Sequence, residues 1–398
     1  MPGRLPSLKV VLIVLAPCLL VLGIWLGAHP RFLPGPVADV LAGPEDRRAT
    51  LQALDAIHDR YYRHVDRGEL SDAAIAGAVE DLDDRFSAYF SAKEYGTFQQ
   101  ALNNEFSGIG TTVRGVKDGL RILTVYPDSP AKRAGLRSGD VITRAAGHKL
   151  AGLTEDAAVA FVKGPEGTSV TLTIRRGERM LTRRVTRARI SVPVARSRIV
   201  DADGARVAHI ELSTFGPRTA HGEMNEAIRR AKRRRAKGIV LDLRDNTGGL
   251  VTEAQLIASM FLADGTIVTT RGRAVPERRL EAVGQPVAGR LATVVLVNKG
   301  TASAAEIVAG ALRDRERAKL VGVPTFGKGV FQEILPLPNG GALDITVGQY
   351  FLPSGRNLGG PGTKSGAGLK PDVRAEDNPD TKPDEALDRA LDVLAGEL

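Results

Sequence analysis

The stretch Val294–Gln332 reads VVLVNKGTASAAEIVAGALRDRERAKLVGVPTFGKGVFQ. Its first four residues, Val294–Val297, are a short apolar run typical of a buried parallel strand. Apolar residues then recur at helical spacing from Ala304 to Leu312, which predicts a helix that begins just after Ser303. This order of strand, loop and helix predicts an α/β fold, with a serine hydroxyl beside the free backbone N–H groups of a helix.

Two interpretations of Ser303 are open. Serine is favoured as an N-cap, because its hydroxyl bonds the orphan N–H groups of a helix. Lys328, 25 positions later (328 − 303), favours a second one, since it lies between Gly327 and Gly329 in an apolar stretch. Glycines allow the backbone to approach a site closely, and loss of water lowers the pKa of a lysine toward neutrality. A neutral lysine can accept a proton from a serine hydroxyl, so the pair predicts a nucleophile and base without histidine.

The residues around this pair resemble the C-terminal processing peptidases, also called tail-specific proteases. The resemblance rests on Gly300-Thr301-Ala302-Ser303-Ala304, on Thr325-Phe326-Gly327-Lys328-Gly329, and on a glutamine four positions after the lysine. It implies a serine endopeptidase in which Ser303 is the nucleophile, Lys328 the general base and Gln332 the residue that orients the lysine. It also implies a crotonase-like ββα peptidase core.

A second motif of that family is Leu241-Asp242-Leu243-Arg244-Asp245-Asn246-Thr247-Gly248-Gly249, with Thr247 where proline is usual. It follows a predicted strand and precedes a predicted helix. Paired glycines at a helix N-terminus expose N–H groups that can hold an oxyanion. The resemblance assigns this oxyanion hole to the backbone N–H groups of Gly249 and Ala304. A phosphate-binding loop is the weaker alternative, because the Walker lysine and the pattern G-x-G-x-x-G are both absent.

A separate β-rich module is predicted over residues 106–190. Its motifs Ser129-Pro130-Ala131 and Gly139-Asp140-Val141-Ile142 resemble those of a PDZ domain. Such domains bind an extended peptide by strand addition and capture its terminal carboxylate with loop N–H groups. The resemblance makes Gly108, Ile109 and Gly110 the candidate carboxylate loop, with a tight turn as the alternative. Lys163 is a further candidate among the peptide-binding residues. Relatives often carry a basic residue at this place, and the resemblance implies that it helps to hold the active arrangement.

The other segments complete a division into six parts. Leu8 to Ala28 is almost uninterrupted apolar sequence, long enough to span a bilayer. The predicted parts are a membrane anchor or signal at 1–30, a linker at 31–47, a helical cap at 48–105, the PDZ-like module at 106–190, a peptidase domain at 191–375 and a C-terminal helical tail at 376–398.

The composition argues against a disordered protein, a nucleic-acid-binding protein and a metal-dependent protein. The chain has 398 residues, of which 43% are hydrophobic and 25% charged, as in a globular protein. The net charge of +9 would suit anionic partners, and a basic run covers 229–237. No aromatic platform accompanies that run, so we predict no nucleic-acid partner. The six histidines are scattered without a metal-binding pattern, so no metal or other cofactor is predicted.

The sequence therefore predicts a serine endopeptidase that acts on proteins or peptides through their C-terminal tails. We expect it in the bacterial inner membrane with a single pass and a periplasmic or other extracytoplasmic catalytic domain. A homo-oligomer is a further expectation, since relatives with such a cap often dimerise. A catalytically silent PDZ adaptor and an acyl-CoA-handling protein on the crotonase-type fold are the alternatives. The presence of Ser303, Lys328 and Gln332 together favours the enzyme.

Overall fold

The computed structural model describes residues 45–378, 380–381 and 383–398. The predicted anchor at 1–30 lies outside these residues, as does the linker up to residue 44. The chain divides into two compact units, one that ends at Asp81 and one that comprises Leu82–Leu398. Across the described ranges, no helix has both the length and the apolar character needed to cross a bilayer.

The first unit contains two helices, α1 (Glu45–Arg60) and α2 (Arg67–Glu80). Helix α1 begins three residues before the predicted start of the cap at 48, where Glu45 and Asp46 favour the positive end of the helix dipole. Helix α2 is capped by Asp66, whose carboxylate accepts the N–H groups of Gly68 and Glu69. Neither helix has a fully buried residue.

The second unit starts with two short elements and the PDZ-like module. The elements are β1 (Ala88–Phe90), α3 (Ala92–Leu102), β2 (Glu105–Gly108), β3 (Thr111–Val116), β4 (Gly119–Val125), α4 (Pro130–Arg133), β5 (Val141–Ala145), β6 (His148–Lys149), α5 (Glu155–Val162), β7 (Ser169–Arg176), β8 (Arg179–Thr186) and β9 (Ala188–Ser191). The module's main sheet has the order β3-β4-β5-β7-β8, with β6 paired to β5. Strands β2 and β9 pair with each other and close the module at its base. Strand β3 is therefore an edge strand of the main sheet.

The rest of the second unit forms the predicted peptidase domain and the C-terminal helix. Its elements are β10 (Ala195–Ala202), β11 (Ala205–Leu212), α6 (Ala220–Arg233), β12 (Gly238–Asp242), α7 (Val251–Ala258), β13 (Thr266–Arg271), β14 (Arg278–Glu281), β15 (Ala292–Val297), α8 (Ala304–Asp314), β16 (Lys319–Gly322), β17 (Val330–Pro336), β18 (Ala342–Phe351), β19 (Val373–Arg374) and α9 (Glu385–Ala395). The predicted strand at 294–297 and helix at 304–312 lie inside β15 and α8.

A six-stranded sheet of order β10-β11-β12-β15-β16-β19 organises this domain. All its pairs are parallel except β10 with β11. Its strands are buried on both faces: Leu241 packs in the core shared with α6, α7 and α8, whereas Val240 packs against α9. This explains why the strands read as continuous apolar runs. Because β11, β12 and β15 are parallel, their carboxyl ends lie at one edge of the sheet.

A five-stranded antiparallel sheet completes the second unit, with the order β1-β18-β13-β14 and β17 paired to β18. Helix α8 shares a hydrophobic core with this sheet, which contributes Val268 and Tyr350. Every residue of 304–312 is buried, and burial of a side chain such as Ile307 contributes roughly 2 kcal/mol. The predicted mixed α/β fold, with a peptidase core, an inserted PDZ-like module and an N-terminal helical region, is confirmed.

Candidate active site

Ser303 lies in the loop after the carboxyl end of β15, directly before α8. Its backbone angles are φ 56° and ψ −119°, whereas an ordinary N-cap residue is extended with negative φ. A residue other than glycine held at such angles costs about 1–3 kcal/mol, so the surrounding structure must enforce it. The half-buried Ser303 thus occupies the cap position in a strained conformation of the kind found at functional sites.

Asn246 and Thr301 hold the loop in this conformation. The wholly buried Asn246 donates through Nδ2 to Leu212 O at 2.7 Å, and its backbone carbonyl accepts the N–H of Ala302 at 2.9 Å. The Thr301 hydroxyl donates to Leu243 O at 2.8 Å. These bonds join the ends of two strands to the residues directly before the serine. The sequence motif contained Asn246, but no local pattern indicated this role.

The glycine pair after β12 lies against Ser303. Gly248 has φ 101°, and a Cβ there would lie 2.8 Å from Ser303 Cβ and 2.9 Å from Ala304 N. Gly249 instead packs against Phe215 and forms a parallel bridge with it. Within the described residues, the N–H groups of Gly249 and Ala304 have no backbone acceptor. Both predicted oxyanion donors are therefore unoccupied, and Gly248 is the glycine that lets the two loops meet.

Glu306 connects the serine loop with the lysine loop. Its carboxylate is completely buried and accepts four hydrogen bonds: from Ser303 N at 2.9 Å, Thr325 Oγ1 at 2.5 Å, Gly327 N at 2.8 Å and Lys328 N at 3.0 Å. Burial raises the pKa of Glu306, and the four donated bonds oppose that rise. One carboxylate thus fixes the two backbones relative to each other. Sequence analysis missed Glu306, although Ser-x-x-Glu before an apolar helix is the pattern of a capping box.

Lys328 and Gln332 are directly bonded. Lys328 Nζ donates to Gln332 Oε1 at 2.6 Å, and Gln332 Nε2 donates to Thr346 Oγ1 at 2.9 Å. A β-bulge between Phe331 and Gln332 places Gln332 opposite Thr346 in the pairing of β17 with β18. Bulges of this kind redirect a side chain. The preceding Gly327 has φ 82°, and a Cβ there would lie 2.6 Å from the carbonyl oxygen of Gly366, so the turn requires glycine.

The amine of Lys328 is in a largely dry environment. It lies 4.8 Å from the ring centroid of Phe86, which the N-terminal cap contributes. Burial lowers the pKa of Lys328 below the 10.5 usual for lysine, against the opposing charges of Asp344, Asp84 and Glu306. Lys328 is therefore easier to deprotonate than a surface lysine.

Ser303 and Lys328 are not directly bonded in this structure. Among the described residues, Lys328 Nζ forms no hydrogen bond with Ser303 Oγ. It donates to Gln332 Oε1 instead. Catalytic hydrogen bonds are often open until a substrate is bound. The described ranges also contain no cluster of three or more His, Cys, Asp or Glu side chains with metal-site geometry.

The predicted carboxylate loop connects β2 to the edge strand β3. The carbonyls of Ile109 and Gly110 accept the N–H groups of Ala131 at 2.8 Å and Tyr126 at 3.0 Å. Over the described part of the chain, the N–H groups of Ile109 and Gly110 themselves have no backbone acceptor. Gly110 has φ 82°, and a Cβ there would lie 2.3 Å from Ser129 Cβ, so only glycine fits.

Lys163 lies at the end of α5, in the same module. Its side chain is exposed, and the neighbouring Gly164 carbonyl accepts a bond from Ser107 Oγ at 2.8 Å. The turn that carries Lys163 is thus attached to β2, beside Gly108. On the edge strand β3, Gly115 donates its N–H to Glu155 of α5 at 2.7 Å. One donor of the β3 edge is therefore already occupied.

Comparisons with known proteins agree with this arrangement. A profile described as "Peptidase family S41" matches residues 206–375, one for a PDZ domain matches 121–176, and one for the "Activating protease CtpB N-terminal domain" matches 43–94. The chain belongs to peptidase family S41. In this S41 member the matched peptidase region contains Ser303, Lys328 and Gln332.

Two curated proteins named "Probable CtpA-like serine protease" are similar to this S41 chain. The protein from Staphylococcus haemolyticus is 34% identical over 324 residues, which cover 81% of this chain and 63% of the relative. The protein from Staphylococcus epidermidis is 31% identical over 335 residues, which cover 83% of this chain and 66% of the relative. The chain thus spans less than two thirds of each relative's length.

A solved structure described as a putative S41 protease from Bacteroides fragilis has the same fold. It superposes with a TM-score of 0.53 at 21% sequence identity, over 87% of this chain and 97% of that one. The likeness therefore extends through the PDZ-like module as well as the peptidase domain.

Proposed function

We propose that the protein is a serine endopeptidase that uses Ser303 as nucleophile and Lys328 as general base. The observation that carries this proposal is the buried Glu306 carboxylate, which bonds the backbone N–H groups of both residues at 2.9 and 3.0 Å. A strained serine at a helix N-terminus and a desolvated lysine bonded to Gln332 support it further. Family membership supports the same activity.

The proposed reaction starts when the neutral amine of Lys328 turns from Gln332 toward Ser303 Oγ. It accepts the hydroxyl proton as the oxygen attacks a peptide carbonyl carbon. The N–H groups of Gly249 and Ala304 stabilise the negative charge on the carbonyl oxygen. The ammonium of Lys328 returns the proton to the leaving amine, and water then hydrolyses the acyl-enzyme. Gln332 orients the lysine between these steps.

The PDZ-like module would select the substrate. The unoccupied N–H groups of Ile109 and Gly110 suit a terminal carboxylate, and the adjacent edge strand β3 suits an extended peptide. Gly108 closes the same loop, and the exposed Lys163 would add positive charge near it. The proposed substrates are extracytoplasmic proteins with free C-terminal tails. The apolar sequence of 8–28 supports attachment to a bacterial inner membrane by a single pass.

The rival function is a catalytically silent PDZ adaptor on the same fold. Such an adaptor would need the module but neither the strained serine nor the desolvated lysine. Cleavage of an unfolded protein by the full-length chain separates the two functions, with Ser303→Ala as the reference. Absence of cleavage by the unchanged protein over the whole pH range would favour the adaptor.

Cleavage is expected to increase with pH, because only neutral Lys328 can accept the serine proton. Burial lowers the pKa of this lysine below 10.5, so the rate should rise and reach its plateau at lower pH than a surface lysine would allow. The measurement is kcat/KM on a denatured protein between about pH 5 and about pH 10, with and without a chelator. The control Lys117→Ala removes an exposed lysine and should leave the profile unchanged. Chelator inhibition reversed by zinc would contradict the proposal.

Substrate selection by the module predicts that amidation of a substrate's C-terminus raises KM. Gly110→Ala should abolish the difference between free and amidated substrates, because the new Cβ would meet Ser129. Gly147→Ala is the matched control: its φ of 85° is nearly the same, but no atom lies within 4 Å of the added Cβ. It should keep the preference for the free carboxylate. Equal kinetics of both substrates with the unchanged protein would mean that the module does not read tails.

A further inference from the structure

The turn before β1 contacts the antiparallel sheet beside the proposed base. Ser87 Oγ donates to Asp84 Oδ2 at 2.7 Å and accepts the backbone N–H of Thr346 at 3.0 Å. The N–H of Phe86 donates to Asp84 Oδ1 at 3.0 Å, which closes the turn. The N-terminal cap therefore supplies the acceptor for a backbone group of β18.

Thr346 extends this contact to the lysine. Its hydroxyl accepts from Gln332 Nε2 at 2.9 Å, and Gln332 Oε1 accepts from Lys328 Nζ at 2.6 Å. The ammonium form of Lys328 can only donate, so in that form the amide oxygen faces the lysine and the amide nitrogen faces Thr346. The Thr346 hydroxyl also contributes to lowering the pKa of Asp84. One hydrogen-bonded route thus runs from the Thr346 N–H through Ser87 Oγ to the Asp84 carboxylate.

The charge state of Asp84 agrees with its role as a hydrogen-bond acceptor for the turn. Burial alone would raise the pKa of Asp84, but hydrogen bonds from Ser87, Thr346, Phe86 and Thr363 lower it below its usual value. An ionised carboxylate only accepts, so the hydroxyl proton of Ser87 is directed toward it. The Thr346 oxygen then remains available as the acceptor for Gln332.

We propose that Asp84, Ser87 and Thr346 are positioning residues for the general base. The cap turn holds Thr346, the Thr346 hydroxyl sets the amide of Gln332, and that amide aims Lys328. This role rests on the proposed function, and it makes the turn at 84–87 a part of the peptidase site. None of the three residues contacts the reacting atoms.

Thr346→Val tests the proposal, because valine keeps the shape of threonine and removes the acceptor. The kcat should fall about tenfold, the effect of one lost hydrogen bond, with little change in KM. The freed amide can turn its NH₂ toward Lys328, which disfavours the ammonium. The rising limb of the pH profile should therefore move to lower pH. Thr346→Ser keeps the hydroxyl and should restore both the rate and the profile.

Thr269→Val, on the adjacent strand β13, is the matched control and should leave the kinetics unchanged. A second readout does not need cleavage. An amine-reactive acylating reagent is added to the full chain at a series of pH values, and peptide mass spectrometry measures how much of Lys328 is acylated. If the unchanged protein does not cleave but the pH dependence of this acylation shifts in Thr346→Val, the positioning role stands and the peptidase proposal fails.

Two results would overturn the positioning role. One is a Thr346→Val protein that cleaves with unchanged kcat and pH profile. The other is a loss of activity that Thr346→Ser shares in full. Should Thr346→Val fail to fold, Ser87→Ala carries the same test, because it removes the acceptor of the Thr346 N–H. Unchanged kcat and pH profile in that variant would also exclude the role.

Discussion

Replacing Ser303 by alanine is expected to abolish peptide cleavage, with kcat reduced by a factor of at least about 10³. Lys328→Ala should be as severe, because nucleophile and base act as one unit and either loss disables it. Both variants should fold, since each residue is only partly buried and their backbone bonds to Glu306 remain. The measurement is the appearance of new peptide termini from a denatured protein, together with thermal unfolding of each variant.

Ser138→Ala is a suitable control, since this exposed serine lies in the PDZ-like module. It should cleave at the rate of the unchanged protein. Retention of most of the activity by Lys328→Ala would show that another group acts as the base. Retention by Ser303→Ala would show that the nucleophile is wrongly assigned or that a contaminating protease is present.

Glu306→Ala should cause the largest combined loss of stability and activity. It leaves four donors without their acceptor, two of them in fully buried bonds, and the free energy of unfolding should fall by about 3 kcal/mol or more. It also frees the serine and lysine loops from each other. A displacement of about 1 Å between reacting groups can cost about 100-fold in rate, so kcat should fall at least that far. Denaturant unfolding and single-turnover cleavage measure the two effects.

Glu253→Ala separates the two effects. Glu253 is also buried in the first turn of a helix, α7, where it accepts the backbone N–H of His221 at 2.8 Å and bonds its ring. Its loss should reduce stability, but the variant should keep kcat within a few-fold at a temperature where it is folded. If Glu306→Ala lost stability yet kept its kcat, the carboxylate would be structural only.

Local sequence was enough to predict the strand at 294–297, the helix at 304–312 and the position of Ser303 between them. Both elements are short and continuous in sequence. The strand is a run of apolar residues, and the helix has apolar residues at helical spacing. Gly327 and Gly248 could be recognised within motifs for the same reason. Their positive φ angles are requirements of a single position in the backbone.

The contacts of Lys328 could not be read in the same way. Phe86 lies beside its amine, and the Ser87 bond to Thr346 joins residues 259 positions apart. No periodicity or turn signal connects such segments. Their meeting depends on the antiparallel pairing of β1 with β18, where Ala88 faces Asp344.

The sequence by itself indicated candidate groups for nucleophile and base, and its resemblance to a peptidase family added the candidate oxyanion donors, because motif spacing and glycine placement are local properties of the chain. Only the tertiary structure decided how those groups are held. Glu306 acts through four bonds to two loops, and Thr346 acts through a bulge and a turn from the cap. Those roles arise because buried hydrogen-bond donors have no water to bond and need an acceptor from the protein. The packing of the whole unit decides which donors are buried together.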